Sequence, residues 1–382
     1  MKALVISHGD FAHACPYMRY MVRAGWDVHW LKIAPGTLSV EGVTPHAGHG
    51  EGAYASELSK LNYLRYSPRC RRLIRRIAPD VIHAHYASSA GLVAWLSGQR
   101  PYAVTIHGTD LMGHLHSRIG RAVLAPVLRG AGLVNPVAPY MVEHLVRLGV
   151  REDRVFVRSI GIELPKFPFQ PRAELFASGL RVLCNRSLEV PLYDIPTIMR
   201  ALAKMRQGGL NATLSLPAGG RLAPPLRALA GELGIEQAVQ FGAGFHNEDV
   251  PAMMATHDVY VSAALWDGAS LSLLEAMACG AFPVVSDTPA NREWLEHERN
   301  GLLFPPGHWQ RLAELLRSLP QRRELIARAL RRNRELVEAR ADRCANLGAV
   351  LDRLGALCPR RRAASNPAAM KSRATDELVI PG

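Results

Sequence analysis

The sequence predicts an α/β protein of two doubly wound, Rossmann-like domains in tandem, the carboxyl ends of both sheets facing a central cleft. Three observations carry this. The chain has 382 residues, enough for two domains that each bury a core. Short β-branched runs alternate with runs of helical period through both halves. The alternation stops once, at the proline-rich stretch "IELPKFPFQPRAELFASG", and then starts afresh. The expected division is a first domain over 1–163, a linker over 164–180, a second domain over 181–357 and a disordered basic tail over 358–382.

Element by element, "KALVIS" reads as a buried strand, "YMRYMVRAG" as a helix ending at Gly25 and "DVHWLKI" as the next strand. A basic helix follows. After it come the strand "DVIHAHY", the helix "AGLVAWLSG", the strand "YAVTIHG", the helix "IGRAVLAPVLRG", the strand "GLVNPVA", the helix "YMVEHLVRLG" and the strand "RVFVRSIG". In the second half "RVLCNR", "NATLSLPAG", "AVQFGAG", "DVYVSAA" and "FPVVSD" read as strands. The helices between them are "DIPTIMRALAKMRQ", "PPLRALAGELG", "EDVPAMMATH" and "LSLLEAMACG", and arginine-rich helical sequence runs from Gln310 to Leu357.

Composition narrows the function classes. Hydrophobic residues make up 48% and charged residues 21%, as in a soluble globular protein. No apolar stretch reaches the roughly 18 to 20 residues that span a bilayer, and "MKALVISHGD" is not a signal sequence, so a cytoplasmic location is expected. The cysteines (Cys15, Cys70, Cys184, Cys279, Cys344, Cys358) form no C-x-x-C pair, which predicts reduced thiols and no zinc site. A formal charge of +13 points to an anionic partner. Nucleic acid is not expected, since no recognition helix or stacking sheet is evident. Lys60 to Arg76 carries seven cations and no acid, interleaved with Tyr63, Leu64, Tyr66, Leu73 and Ile74. Such a segment suits peripheral contact with an anionic membrane at its inner face, or a solvated helix whose apolar side packs on the core.

The most informative stretch is "LWDGASLSLLEAMACGAFPVVSD", in which seven residues separate Asp267 from Glu275. Asp267 falls in the loop at the carboxyl end of a strand, and Glu275 about one turn into the next helix. The segment between, with Gly268, Ser270, Leu271 and Ser272, presents backbone N–H groups at a helix N-terminus, where a diphosphate is favoured. Glu275 can accept from vicinal hydroxyls such as those of a ribose. The chemistry is that of a nucleotide joined through phosphates to a polyhydroxylated group; the plainer reading is that Asp267 caps the helix and Glu275 lies on the surface.

The arrangement resembles the acid-x7-acid motif of the family-4 retaining glycosyltransferases of the GT-B fold (glycosyl transferases group 1), which continues much like "EAMACGAFPVVSD". Further pieces stand in family order: "APDVIHAHY", "TIHGTDL", "GIEL", "NRSLE" and "NGLLFPPG". The resemblance covers roughly Met1 to Leu357. It implies transfer of a sugar from a nucleotide-diphosphate-sugar donor to a hydroxyl of an acceptor, a glycan or a lipid-linked or envelope polysaccharide precursor, with no cofactor and no metal; no D-x-D is present. Arg186 is implied on the diphosphate, His107 beside the donor sugar and Asp267 near the reacting centre. Gly9 is implied near the donor phosphates, Asp10 near the acceptor, and Asp110 as a support for His107 or an acceptor contact. Two positions depart from the family pattern. The first acid is Asp267 where Glu is usual, and Tyr193-Asp194 stand near the place of a phosphate-binding lysine. His83 and His85 share one face of a strand and are expected to be structural. The alternatives are a non-catalytic nucleotide-sugar sensor and another enzyme on the same architecture, such as a nucleotide-sugar epimerase or a glycan phosphorylase. Epimerases lack the "EAMACG" continuation, and phosphorylases are much longer.

Overall fold

The computed structural model describes residues 1–48, 59–170, 175–176, 179–246 and 248–358, with the side chains of residues 59–66 outside the description. The chain divides into two compact units, Met1–Ile160 joined by the chain from Ala345 onward, and Gly161–Cys344. Each holds a six-stranded parallel sheet.

The first unit contains β1 (Lys2–His8), α1 (Cys15–Arg23), β2 (Asp27–Ala34), β3 (Val43–Ala47), α2 (Ser59–Ile77), β4 (Val81–His85), α3 (Leu92–Ser97), β5 (Tyr102–Ile106), α4 (Thr109–Leu115), α5 (Arg118–Gly130), β6 (Leu133–Pro136) and α6 (Val142–Arg147). Its strand order is β3-β2-β1-β4-β5-β6. The central strands are buried on both faces, as parallel strands between helices are; every residue of β4 and β5 is buried, His83 and His85 included. A π-helical turn, Tyr86–Gly91, leads from β4 into α3, and Tyr86 takes a left-handed φ of 78°.

Two expectations are corrected here. β3 reads "VTPHA", mostly exposed and interrupted by Pro45, which only an edge strand tolerates, so it escapes a search for buried runs. Conversely, "RVFVRSIG" forms no strand of the sheet: it runs extended beside β6 with a single bridge, Val134 to Val155.

The second unit contains β7 (Leu180–Leu183), α7 (Ile195–Gln207), β8 (Ala212–Leu216), α8 (Ala223–Glu232), β9 (Val239–Phe241), α9 (Val250–Thr256), β10 (Val259–Ser262), α10 (Leu271–Cys279), β11 (Phe282–Ser286), α11 (Pro289–Arg292), β12 (Leu302–Phe304), α12 (Trp309–Ser318) and α13 (Arg323–Arg340). The order is β12-β11-β10-β7-β8-β9. The expected boundary at residue 357 moves. The last helix, α14 (Arg343–Leu357), belongs from Ala345 onward to the first unit. Leu357 lies against Gly132, Arg353 stacks on the Phe156 ring at 4.9 Å, and Asn346 Nδ2 donates to Ser159 Oγ at 3.4 Å. The expected basic tail beyond Cys358, and residues 171–174 and 177–178 of the expected linker, lie outside the described residues.

In α2 the exposed side is all cationic from Arg69 on: Arg69, Arg71, Arg72, Arg75 and Arg76 are exposed while Cys70, Ile74 and Ile77 are buried. Among the described residues, no helix is long and apolar enough to cross a membrane.

Candidate active site

In the second unit the site is assembled where β7 and β10 end. α10 is apolar on nearly every side and buried, so its direction is fixed by the core, and its N-terminus opens beside the loop that carries Asp267. Ser270 is the N-cap: its Oγ accepts from Leu273 N at 3.3 Å. The helix ends at Gly280, whose φ of 79° suits glycine. With Ser270 serving Leu273, the N–H groups of Leu271 and Ser272 are left in the first turn, where a helix offers no acceptor of its own.

Arg186, from the loop after β7, reaches this N-terminus. It is almost buried, donates from Nη1 to Ser270 Oγ at 3.2 Å and from Nη2 to Asp267 Oδ2 at 2.8 Å, and stacks on the Tyr193 ring at 4.0 Å. Its Nε is buried with no hydrogen-bond partner. Burial works against the charge, but Asp267 outweighs it and the guanidinium is held more firmly protonated than usual. Tyr193 is placed by a short 3-10 turn, Pro191–Tyr193, after which Asp194 takes a left-handed φ of 42° and accepts from Thr197 Oγ1 at 2.7 Å. Leu265 N donates to Leu192 O at 3.0 Å, fastening this turn to the Asp267 loop.

These contacts revise two expectations. Asp267 does not cap the helix: its Oδ2 takes Arg186 and its Oδ1 takes Gly268 N at 2.9 Å. Gly268 therefore spends its N–H on Asp267 and is not an open phosphate donor. Glu275 does lie one turn along α10, half-buried, its carboxyl pushed up to about 7 mainly by burial, with Arg343 and Arg186 opposing. Arg343 is itself held by Glu163 Oε1 at 2.7 Å and by Gly161 O. Sequence reasoning passed over the Tyr193 stack; the available signal was an aromatic at the position where a cation was sought.

In the first unit the sequence-predicted residues gather at the carboxyl ends of β1, β4 and β5. His107 follows β5, half-buried, its ring 4.8 Å from Phe11 and 5.2 Å from Tyr86 between centroids. Burial, with His13 and His83 nearby, holds its pKa well below the usual histidine value, so it is neutral at neutral pH. Asp110 is buried and takes the backbone N–H of His107 and Gly108 on Oδ1 and of Ala87 on Oδ2. It clamps the turn around His107; burial lifts its pKa to about 6 although those N–H groups oppose.

Gly9 packs closely against the backbone of residues 34–36. A Cβ there would stand 2.6 Å from Gly36 N and 2.7 Å from Ala34 O. Asp10 is exposed, with Oδ1 accepting from Thr37 N at 2.7 Å. Among the described residues, no group of three His, Cys, Asp or Glu is placed to hold a metal.

Two parallel, doubly wound sheets, with an arginine-lined helix N-terminus at the carboxyl edge of the second, define a glycosyltransferase of the GT-B class. The chain matches the family model "Glycosyl transferase 4-like domain" over residues 12–161 and "Glycosyl transferases group 1" over residues 193–336. It belongs to the family-4 glycosyltransferases of the GT-B fold. It is 26% identical over 268 residues to the GDP-mannose-dependent alpha-(1-6)-phosphatidylinositol monomannoside mannosyltransferase of Mycobacterium tuberculosis, covering 66% of this chain and 69% of that one. In fold it is similar to sucrose-phosphate synthase of Thermosynechococcus elongatus, with a TM-score of 0.78 at 19% identity, over 96% of this chain and 100% of that one. Anabaena HepE, crystallised with UDP and with UDP-glucose, superposes with a TM-score of 0.75 at 20% identity, over 94% of this chain and all of its own.

Proposed function

We propose that this glycosyltransferase uses a nucleotide-diphosphate sugar as donor, retains the anomeric configuration, and transfers to a hydroxyl of a glycan or lipid-linked acceptor. The observation that carries the donor assignment is the nearly buried Arg186 at the open N-terminus of α10, with Glu275 one turn further along. A diphosphate meets the guanidinium and the N–H groups of Leu271 and Ser272, each partly charged end favouring the anion. Glu275 takes the ribose hydroxyls. Asp267 and Tyr193 hold the guanidinium fork in place, one by an ion pair and one by stacking.

As the bond to the leaving diphosphate lengthens, negative charge grows on the bridging oxygen. Donors already aimed there stabilise it without reorganising. Charge neutralisation by Arg186 and backbone N–H groups supports a reaction that needs no metal, and turnover undiminished in EDTA is the expected result. His107 is assigned to the donor sugar and Asp10 to the acceptor, both from the family resemblance. HepE with bound UDP-glucose supports a nucleotide-sugar donor, and the mycobacterial relative, a phosphatidylinositol monomannoside mannosyltransferase by name, supports a lipid-linked acceptor. The five exposed arginines of α2 support work at an anionic membrane surface.

The test is a thermal-shift panel of UDP- and GDP-sugars, since a ligand that binds only the native state raises its stability by RT ln(1 + [L]/Kd). The sugar that shifts melting is then followed by NMR for hydrolysis or transfer and for the anomeric configuration of the product. No shift with any nucleotide sugar would remove the donor assignment, and binding without turnover would make the protein a sensor.

A further inference from the structure

His83 and His85 stand on β4 with both rings under Tyr17, at centroid distances of 5.2 and 4.8 Å. Burial in such a place costs free energy unless the ring nitrogens are satisfied, so their partners determine where the protons sit. For His83 the chain of donors can be followed to its end. Asn135 Nδ2 donates to Phe156 O at 2.8 Å and to Arg158 O at 3.0 Å, which leaves Oδ1 as the acceptor. Thr105 Oγ1 gives its one proton to that oxygen at 3.3 Å. The same hydroxyl must then accept from His83 Nε2 at 2.7 Å, so His83 carries its proton on Nε2.

His85 ends differently. Its Nδ1 lies 3.1 Å from Nε2 of His107, and its own Nε2 is buried with no hydrogen-bond partner. One proton lies between the two rings. If His107 supplied it, His85 would carry its proton on Nε2, as a buried N–H with nothing to donate to. Orphaned buried donors are rare and cost more than bare acceptors. The proton therefore belongs to His85 Nδ1 and is donated to His107 Nε2. His107, being neutral, then carries its own proton on Nδ1.

We infer that His85 is a positioning residue for the transfer reaction: it holds His107 in the Nδ1–H tautomer, so that the imidazole offers the donor sugar a fixed hydrogen-bond donor. This rests on the assignment of His107 to the sugar. The ring is then set from two sides, its backbone by Asp110 and its Nε2 by His85. Second partners of this kind fix which imidazole nitrogen does the work.

The experiment reads the tautomer directly. Long-range 1H–15N correlation on the full-length, 15N-histidine-labelled protein without substrate should show His107 protonated at Nδ1 and bare at Nε2. In His85→Leu nothing donates to Nε2 of His107, so its 15N resonance should move to that of a nitrogen accepting no hydrogen bond, with kcat lowered about tenfold or more and affinity for the free nucleotide diphosphate unchanged. His85→Asn places a side-chain N–H where Nδ1–H stood and should restore both that resonance and most of kcat. A wild-type spectrum with His107 protonated at Nε2, or an unchanged Nε2 resonance in His85→Leu, overturns the inference. So does a shifted Nε2 resonance with unchanged kcat. If His85→Leu does not fold, the wild-type spectrum and His85→Asn decide. Since the spectrum needs no substrate, a protein with the expected tautomer but no transfer from any sugar nucleotide would instead overturn the functional reading on which the inference rests.

Discussion

Arg186 carries more than one role in so small a space that its chemistry is the most exacting in the protein. It is the cation at the α10 N-terminus, the partner of Asp267, and the plane stacked on Tyr193. Arg186→Lys keeps the charge and loses the fork and the stack, so kcat/KM should fall about tenfold or more with the fold intact. Near wild-type turnover would place the diphosphate elsewhere. Glu275 makes a second prediction with a definite sign. Its carboxyl is held near 7 in the free protein, chiefly by burial, and ribose hydroxyls donating to it favour the ionised form, so binding lowers its pKa and releases a proton. Affinity for a nucleotide sugar, whose own phosphates are ionised throughout, should rise as pH increases from 6 to 8 and fall as pH drops. Titration calorimetry in buffers of different ionisation enthalpy should detect the released proton, and Glu275→Gln should abolish both effects. A pH-independent affinity in the native protein would take Glu275 off the ribose.

At the level of elements, what could be read in the chain is what local pattern determines. β4, β5 and β11 are buried runs of five residues, and α10 is an apolar helical run closed by a glycine, although its cap, Ser270, was not the residue the sequence suggested. The site residues Ser270 and Glu275 were legible because they lie in one contiguous motif, and Arg186 through the separate segment "NRSLE" that carries the family resemblance. What was not legible depends on pairing between distant segments. His83 and His85 were correctly placed on one face, but their partners Thr105, Asn135 and His107 come through the register of β4 with β5 and of β5 with β6. An amphipathic pattern likewise shows that α14 buries a face without showing against which unit. That allegiance can be tested. Leu354 on α14 is fully buried, and Leu354→Ala should destabilise the first unit by about 2 to 4 kcal/mol through the lost contacts and the cavity left behind. Hydrogen exchange should then quicken in β4 to β6 and not in β7 to β9, with nucleotide affinity unchanged. Faster exchange in β7 to β9 instead would assign α14 to the second unit.

On the scale of the whole molecule the open question is where an excess of positive charge is spent. The formal charge is +13, yet many arginines are neutralised locally: Arg181 by Asp258, Arg292 by Asp287, Arg322 by Glu298, Arg334 by Glu338. The outer face of α2 is different. Arg69, Arg71, Arg72, Arg75 and Arg76 are all exposed, no acid lies within the helix, and the apolar side is already committed to the core through Cys70, Ile74 and Ile77. Contact with an anionic surface through this half of the helix is thus electrostatic and not insertive. Each cation close to such a surface contributes roughly 1 kcal/mol, decaying within a Debye length of about 8 Å at physiological salt. Several acting together give binding that is reversible and sensitive to salt. Flotation with vesicles rich in anionic lipid should carry the protein at low salt and release it at high salt, and vesicles of neutral lipid should not carry it at all. Replacing Arg71, Arg72, Arg75 and Arg76 by Gln should abolish flotation while leaving hydrolysis of a soluble donor unchanged, since α2 supplies no residue to the donor site. A quadruple variant that still floats would make this face an ordinary solvated one, and flotation lost only on removing the chain after Cys358 would assign the contact to that segment.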